Sequence, residues 1–343
     1  MNEYRHRLRQ LTEDLLFLDH PGRLRTAAVE LHALCSQLAG IPEFSHDEED
    51  NRRTLLTEGL ALDPVSAALC VLQYARTAKF LRGVCRAVEV AQERFPSECI
   101  EILYAGCGPI APLAIPLMTR FEADGVQFTL LDIHQRSLDC ARRIVGTLGF
   151  GAHVREYVCA DATAYIQPAE RPLSIVISET MQRALIKEPQ VAVTLNLAPQ
   201  LRRGGIFIPE RISVDACLFD PGSEFQVVTE DLVGGSTPAG ERVRIPLAPL
   251  LELDAASVLQ LKNHGFPGVR VALPPPAEPQ LRLMLRTKVT VFGPEILGDY
   301  ESGITCPFLS KDLDVLQPGS EAVFRYETGS VPGFRFTCHQ SPP

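Results

Sequence analysis

Apolar positions recur at three- and four-residue spacing in YRHRLRQLTEDLLFLD, LRTAAVELHALCSQLAG and AALCVLQYARTAKFLRGVCRAVEVAQERF, which predicts helices across residues 1–98. Gly40 and Pro42 end the second of these, the charged stretch EFSHDEEDNRRT (43–54) reads as a loop or exposed turn, and Phe95-Pro96-Ser97 closes the zone. From Cys99 the period shortens. IEILYAGCG (100–108), VQFTLLDIH (126–134), AHVREYVCAD (152–161) and LSIVISE (173–179) are β-rich runs separated by helical spacings such as QRSLDCARRIVGTLG. Strands alternating with helical crossovers predict a parallel sheet covered on both faces, with ligands at the carboxyl ends of its strands. After Arg211 the runs ISVDACLFD, FQVVTEDLV, LRLMLRTKVTVFG and EAVFRYETG lie between the turn signals DPGS, GGSTPAGE, ALPPPAEP and QPGS, as in a barrel or sandwich. The chain is therefore expected to be α/β in class, with a helical unit at 1–98, an α/β unit at 99–210 and an all-β unit at 211–343.

Composition narrows the setting. The 343 residues carry 33 Lys and Arg against 42 Asp and Glu, a net charge of −9, so no face of general cationic character is available to coat nucleic acid. With 45% hydrophobic and 22% charged residues the chain is an ordinary globular one, and global disorder is excluded. No apolar run reaches the roughly 18–20 residues that span a bilayer, and the N-terminal MNEYRHRLRQ has no apolar signal core, so a soluble, cytoplasmic protein without a membrane partner is expected. Ten scattered cysteines with no C-x-x-C pair read as reduced and mainly buried, with no metal site.

The strand ends carry the candidate chemistry. Tyr104-Ala105-Gly106-Cys107-Gly108-Pro109 closes the first strand of the α/β unit, where glycines let backbone approach a ligand and the next helix presents free N–H groups. Ala111 stands where a dinucleotide fingerprint has its last glycine, and no G-K-[ST] follows. Asp132-Ile133 ends the second strand, placed to accept hydrogen bonds from ribose hydroxyls, and Asp161-Ala162 ends the third, where a carboxylate meets an adenine amino group. A bare glycine turn and isolated strand-end acids are commonly structural; three in register point to a nucleoside.

On these residues the chain resembles the class I S-adenosylmethionine-dependent methyltransferases. IEILYAGCGP is similar to their first motif, LLDIH to the ribose-binding segment and CADA to the adenine contact. The family has an acidic residue where Tyr104 stands and a third glycine where Ile110 stands. Upstream, Arg76-Thr77-Ala78-Lys79-Phe80 resembles the segment with which arginine methyltransferases hold the cofactor carboxylate, which makes Arg76 a candidate cofactor ligand. The resemblance implies S-adenosyl-L-methionine as cofactor, S-adenosyl-L-homocysteine as product and a Rossmann-like methyltransferase domain.

The fourth strand ends in Ser178-Glu179-Thr180-Met181, and Glu188 follows nine residues after Glu179. Two carboxylates facing one crevice repel unless a cation lies between them, and a planar guanidinium offers each a bidentate pair of donors. The plain alternative is a strand-end cap and an exposed helix charge. Ser178, Glu179, Met181 and Glu188 resemble the double-glutamate loop of the protein arginine methyltransferases, and LAPQLRRGGIFIPERISV (197–214) resembles the segment that leads that family into its β-barrel. The family's tyrosine-rich N-terminal helix is not recognisable, and its threonine–histidine–tryptophan loop cannot be complete in a chain with no Trp. Thr337-Cys338-His339-Gln340 is its candidate remnant, with His339 as proton acceptor.

These readings converge on methyl transfer to a guanidino nitrogen, with Glu179 and Glu188 catalytic and Glu179, Met181 and Glu188 binding the substrate. Because the parts that cover a peptide are altered or absent, free L-arginine or a related small guanidino metabolite is the favoured substrate, as in arginine N-methyltransferases of natural-product pathways. Methylation of protein or peptide arginine, methylation of an unrelated small nucleophile and a silent scaffold are the alternatives. The resemblance also implies a homodimer.

Overall fold

The computed structural model describes residues 3–225, 242–274, 281–313 and 319–339. The run FQVVTEDLV falls almost wholly outside them. Helices α1 (Glu3–Phe17) and α2 (Pro21–Ala39) pair at the N-terminus, burying Leu8, Leu11 and Leu15 of the first and Leu24, Ala28 and Leu31 of the second. Gly40, in the left-handed region at φ 65°, closes α2 as its sequence suggested.

The zone expected to be helical throughout contains a departure. Thr54–Leu56 (β1) and Gly59–Ala61 (β2) form a small antiparallel hairpin, with Leu56 opposite Gly59 across a two-residue turn. A run this short carries no period that sequence reading can separate from a loop. The long apolar stretch that follows is also broken, into α3 (Pro64–Leu69), capped by the Asp63 side chain on the Ser66 N–H, and α4 (Tyr74–Arg94).

Five strands, β3 (Ile100–Ala105), β4 (Val126–Asp132), β5 (Val154–Cys159), β6 (Leu173–Ser178) and β7 (Leu201–Ile208), make a wholly parallel sheet in the order β5-β4-β3-β6-β7. The order reverses between β3 and β6, and such a switch opens a crevice at the carboxyl edge. Alternation along β3 divides the core: Ile102 and Tyr104 join a cluster that runs from the N-terminal helices into the C-terminal strands, while Leu103 and Ala105 join a smaller cluster on the other face. Helix α5 (Gln135–Leu148) buries Leu138, Ala141, Ile144, Val145 and Leu148 at helical spacing and is closed by Gly149 at φ 71°, and α6 (Gln190–Leu197) follows the fourth strand.

The remaining strands are antiparallel, as the turn-rich sequence predicted. A four-stranded sheet has the order β12 (Glu295–Leu297), β11 (Arg282–Phe292), β8 (Arg211–Phe219), β9 (Arg244–Asp254). A three-stranded sheet has β10 (Val269–Ala272), β13 (Glu321–Glu327) and β14 (Gly333–His339), and the two make up the C-terminal barrel. A helix not foreseen, α7 (Ser257–His264), follows β9. Helix α4 is the spine between the two halves: a Cβ on its Gly83 would lie 2.5 Å from the Val291 side chain of β11. No helix among the described residues is long and apolar enough to cross a membrane.

Candidate active site

Register levels the strand ends. Ala105 lies opposite both Leu131 and Ser178, and Asp132 lies opposite Cys159, so the residues that come next (Gly106, Ile133 and Glu179) emerge from one edge of the sheet. They open into a cavity of about 370 Å³. Arg76, Tyr104, Gly106, Cys107, Gly108, Asp132, Ile133, Asp161, Ala162, Glu179, Met181 and Glu188 all line it.

The glycine turn is cut to this shape. Gly106 and Gly108 take φ of 72° and 64°, a region that L side chains avoid. A Cβ on Gly106 would lie 2.5 Å from the Thr180 methyl, so only glycine lets the first strand end nest against the loop of the fourth. Asp132 is buried and pins the same turn: its Oδ2 accepts the Gly108 N–H at 2.9 Å and its Oδ1 the His134 N–H at 2.9 Å. Each carboxylate oxygen keeps a second lone pair, enough to take hydroxyl donors of a diol. Asp161 uses Oδ1 for the N–H and hydroxyl of Thr163, at 2.8 and 2.7 Å. Burial pushes the Tyr104 phenol and the Cys107 thiol well above their ordinary ranges, so both line the cavity as neutral groups.

On the far side stand three charged side chains. Arg76, from the first turn of α4, makes a buried ion pair with Oε2 of Glu179, while Oε1 of Glu179 is buried with no hydrogen-bond partner among the described residues. Burial pushes the Glu179 carboxyl up against the pull of Arg76. Glu188 is also buried, and burial pushes it up to about 7; the charge of Glu179 adds to this, and a hydrogen bond from Gln182 opposes it. Arg76 is thus paired with Glu179, while Glu188 feels the charges of Arg76 and Arg53 without an ion pair to either among the described residues. A ligand guanidinium would add a charge between the two glutamates together with donors for Oε1 of Glu179.

The glutamate loop is held from outside the sheet. Ala184, Leu185 and Lys187 all have positive φ (53°, 53° and 66°), and strain of this kind persists only when neighbours impose it. The barrel imposes part of it: Thr287 Oγ1 accepts the Ala184 N–H at 2.7 Å, Tyr326 donates to the Leu185 carbonyl at 2.7 Å, and Pro332 accepts the Lys187 N–H at 3.0 Å.

Several lining residues escaped sequence reasoning. Leu56, Leu60, Ala61 and Leu62 of the β1–β2 hairpin cover the cavity, and Gln73 lies one turn before Arg76. Gln73 Oε1 accepts the Ser302 hydroxyl at 2.5 Å and the Gly303 N–H at 2.9 Å, which seats Gly303 and Ile304 in the cavity wall. The barrel therefore reaches the cavity through these two residues. The candidate remnant loop is instead strand, for Thr337, Cys338 and His339 pair with Val323, Ala322 and Glu321. Gln340 and the His339 side chain lie outside the described residues. The opposite end of β14 is the one that meets the glutamate loop, where Gly333 packs on Ile186. Six residues of strand, ~20 Å at about 3.3 Å each, separate it from the His339 backbone.

No protein-family model matches the chain, and no curated protein matches it. Among solved structures it is similar to the Trypanosoma brucei PRMT1 enzyme–prozyme heterotetrameric complex with AdoHcy, with a TM-score of 0.51, 13% identity, and coverage of 79% of this chain and 96% of that one. The likeness is one of fold: parallel sheet, helical N-terminus and antiparallel C-terminal strands are shared.

Proposed function

We propose that this protein is an S-adenosylmethionine-dependent N-methyltransferase acting on a guanidino nitrogen. The observation that carries the reading is the pair of buried carboxylates, Glu179 and Glu188, in the same cavity as the row of strand-end residues Gly106, Gly108, Asp132 and Asp161, with one Glu179 oxygen left without a hydrogen-bond partner among the described residues. The fold is that of a structure solved with AdoHcy, and the lining fits the group: two glycines where a side chain would obstruct, an acid for the ribose and an acid for the adenine. Asp132, Ile133, Asp161 and Ala162 would hold the nucleoside, and Tyr104, Gly106, Cys107, Gly108 and Arg76 the methionine end. S-adenosylmethionine supplies an electrophilic methyl group; the protein's own contribution is position and charge.

Glu179 and Glu188 orient the guanidinium and concentrate electron density on the nitrogen that attacks. The apolar side chains Leu56, Leu60 and Ile304 in the lining lower the local polarity and strengthen both contacts. With the backbone of His339 at the far end of β14, the proton acceptors proposed at the guanidinium are the two carboxylates, which the bound cation keeps ionised.

For the substrate, the small cavity with Leu56, Leu60 and Ile304 in its lining favours a small molecule, free L-arginine or a related guanidino metabolite. A protein or peptide arginine is the second reading, favoured by the fold shared with a PRMT1 complex; that complex is a heterotetramer, and for this chain we infer a homodimer. We infer a cytoplasmic enzyme of natural-product metabolism. A mass-spectrometric screen for a gain of one methyl group on free arginine, on arginine peptides and on non-guanidino amines tests all of this. Labelled arginine alone supports the favoured reading, labelled peptide the second, and labelled amine with untouched arginine removes the guanidino assignment.

A further inference from the structure

We propose that Gly59, in the N-terminal hairpin, is a positioning residue for Glu188. This deepens the reading of Glu188 as half of the guanidinium clamp and rests on it. Gly59 takes φ 135°, and a Cβ placed there would lie 2.9 Å from the Pro189 nitrogen and 3.0 Å from the Glu188 carbonyl carbon and the Lys187 oxygen. Those are main-chain atoms, which cannot swing aside as a side chain can. The next hairpin residue, Leu60, donates its N–H to the Lys187 carbonyl at 2.8 Å. The hairpin backbone is therefore a template against which the residues flanking Glu188 are pressed.

Both partners in this contact are tied to the rest of the fold, and a side chain at position 59 strains the contact from the hairpin side, at φ 135°. The hairpin is tied down at its edges: Thr54 Oγ1 meets His134 Nε2 at 3.0 Å, Arg53 pairs with Asp63 at 3.1 Å, and Glu58 accepts the Gly329 N–H at 2.8 Å. Leu56 and Leu60 are further held in the cavity wall. The segment 184–187 holds three residues at positive φ that its neighbours impose. A methyl group at position 59 would thus displace Glu188, turning it away from Glu179 and toward water. The tie from Thr54 to His134 joins the same hairpin to the residue whose N–H Asp132 accepts, so one element spans the nucleoside end and the guanidinium end of the cavity.

Two readouts test this on the full chain, one of them independent of any substrate. In the first, thermal unfolding from pH 5 to pH 8 is compared for wild type, Glu188→Gln and Gly59→Ala. Wild type should lose stability across this range by an amount that Glu188→Gln lacks, and Gly59→Ala should behave like Glu188→Gln. In the second, Gly59→Ala should keep its affinity for S-adenosylhomocysteine within about threefold while kcat for arginine methylation falls at least tenfold, with the pH limb of kcat/KM moved below its wild-type position. A Gly59→Ala protein that retains the wild-type fall in stability and the wild-type limb overturns the proposal. If wild type methylates no guanidine, the clamp reading fails while the stability comparison still decides the placement of Glu188. Should Gly59→Ala not fold, Lys187→Gly carries the test. With the hairpin intact it should leave the pH dependence of stability unchanged, and a loss of that dependence would mean that the loop, and not the hairpin, sets the position of Glu188.

Discussion

Arg76 and Glu179 form a buried ion pair that uses only one oxygen of the carboxylate, leaving Oε1 of Glu179 enclosed with no hydrogen-bond partner among the described residues. The first turn of α4 and a strand end of the sheet are thereby joined through a single ion pair. The consequence for mutation is a difference in sign between the two glutamates.

Glu179→Gln removes the carboxylate paired with the buried Arg76 guanidinium, leaving only the unpaired Glu188 to balance it, and should cost on the order of 3 kcal/mol of stability. Glu188→Gln removes a buried negative charge that no neighbour fully balances and should stabilise the protein at pH 8 by up to about 3 kcal/mol. Denaturant unfolding of the two variants checks this, and shifts of equal sign would contradict it.

In catalysis the same two substitutions should act together. Each should reduce methylation of the guanidino substrate by at least ~10²-fold, because each removes a charge-assisted contact from a dry site, and the double variant should be little worse than either. A Glu188→Gln enzyme that keeps most of its turnover would remove the clamp.

The pH dependence follows from Glu188, whose carboxyl holds its proton to about 7 in the folded chain against an ordinary 4.5. Between these values the folded state binds more protons than the unfolded one, so stability falls as pH rises through that window, and the loss is complete above 7. Activity should run the other way. The clamp needs ionised Glu188, so kcat/KM should rise through about pH 7, and kcat should respond at lower pH because a bound guanidinium favours the carboxylate. Rate profiles at saturating and limiting substrate measure both limbs.

Asp132→Ala should weaken binding of S-adenosylhomocysteine by roughly 2–3 kcal/mol, since a ribose diol would lose two charge-assisted hydrogen bonds. The structure adds a second cost, because Asp132 also fixes the N–H groups of Gly108 and His134. Asp132→Asn keeps one acceptor and should lose less. Calorimetry on the pair tests the ribose contact, and an unchanged dissociation constant for Asp132→Ala would place the diol elsewhere.

Light scattering at micromolar concentration should give a mass near twice the 37.7 kDa of one chain, as expected of a homodimer. A monomer would argue that the cofactor site is completed within one chain, with the β1–β2 hairpin as its cover.

What the amino-acid sequence determined by itself was the row of strand ends. Gly106, Gly108, Asp132, Asp161 and Glu179 are legible because each ends or follows a short β-rich run, and a parallel sheet has to bring such ends to one edge. Glu188 was legible only as a spacing. The backbone that carries it meets groups far away in the chain: Gly59 and Leu60 from a hairpin too short to show a period, and Tyr326 and Pro332 from the barrel, and burial there lets the carboxyl keep its proton to about 7. The same holds for Gln73 and Ile304, which meet the cavity through contacts spanning some 230 residues that no local pattern encodes. The position of the His339 backbone, too, was decided by register, for the pairing of β14 with β13 carries the chain end away from the glutamate loop that the start of the same strand touches. Local periodicity specifies which element a residue ends; only packing between distant elements specifies what surrounds its side chain, and the chemistry of a carboxylate is set by its surroundings.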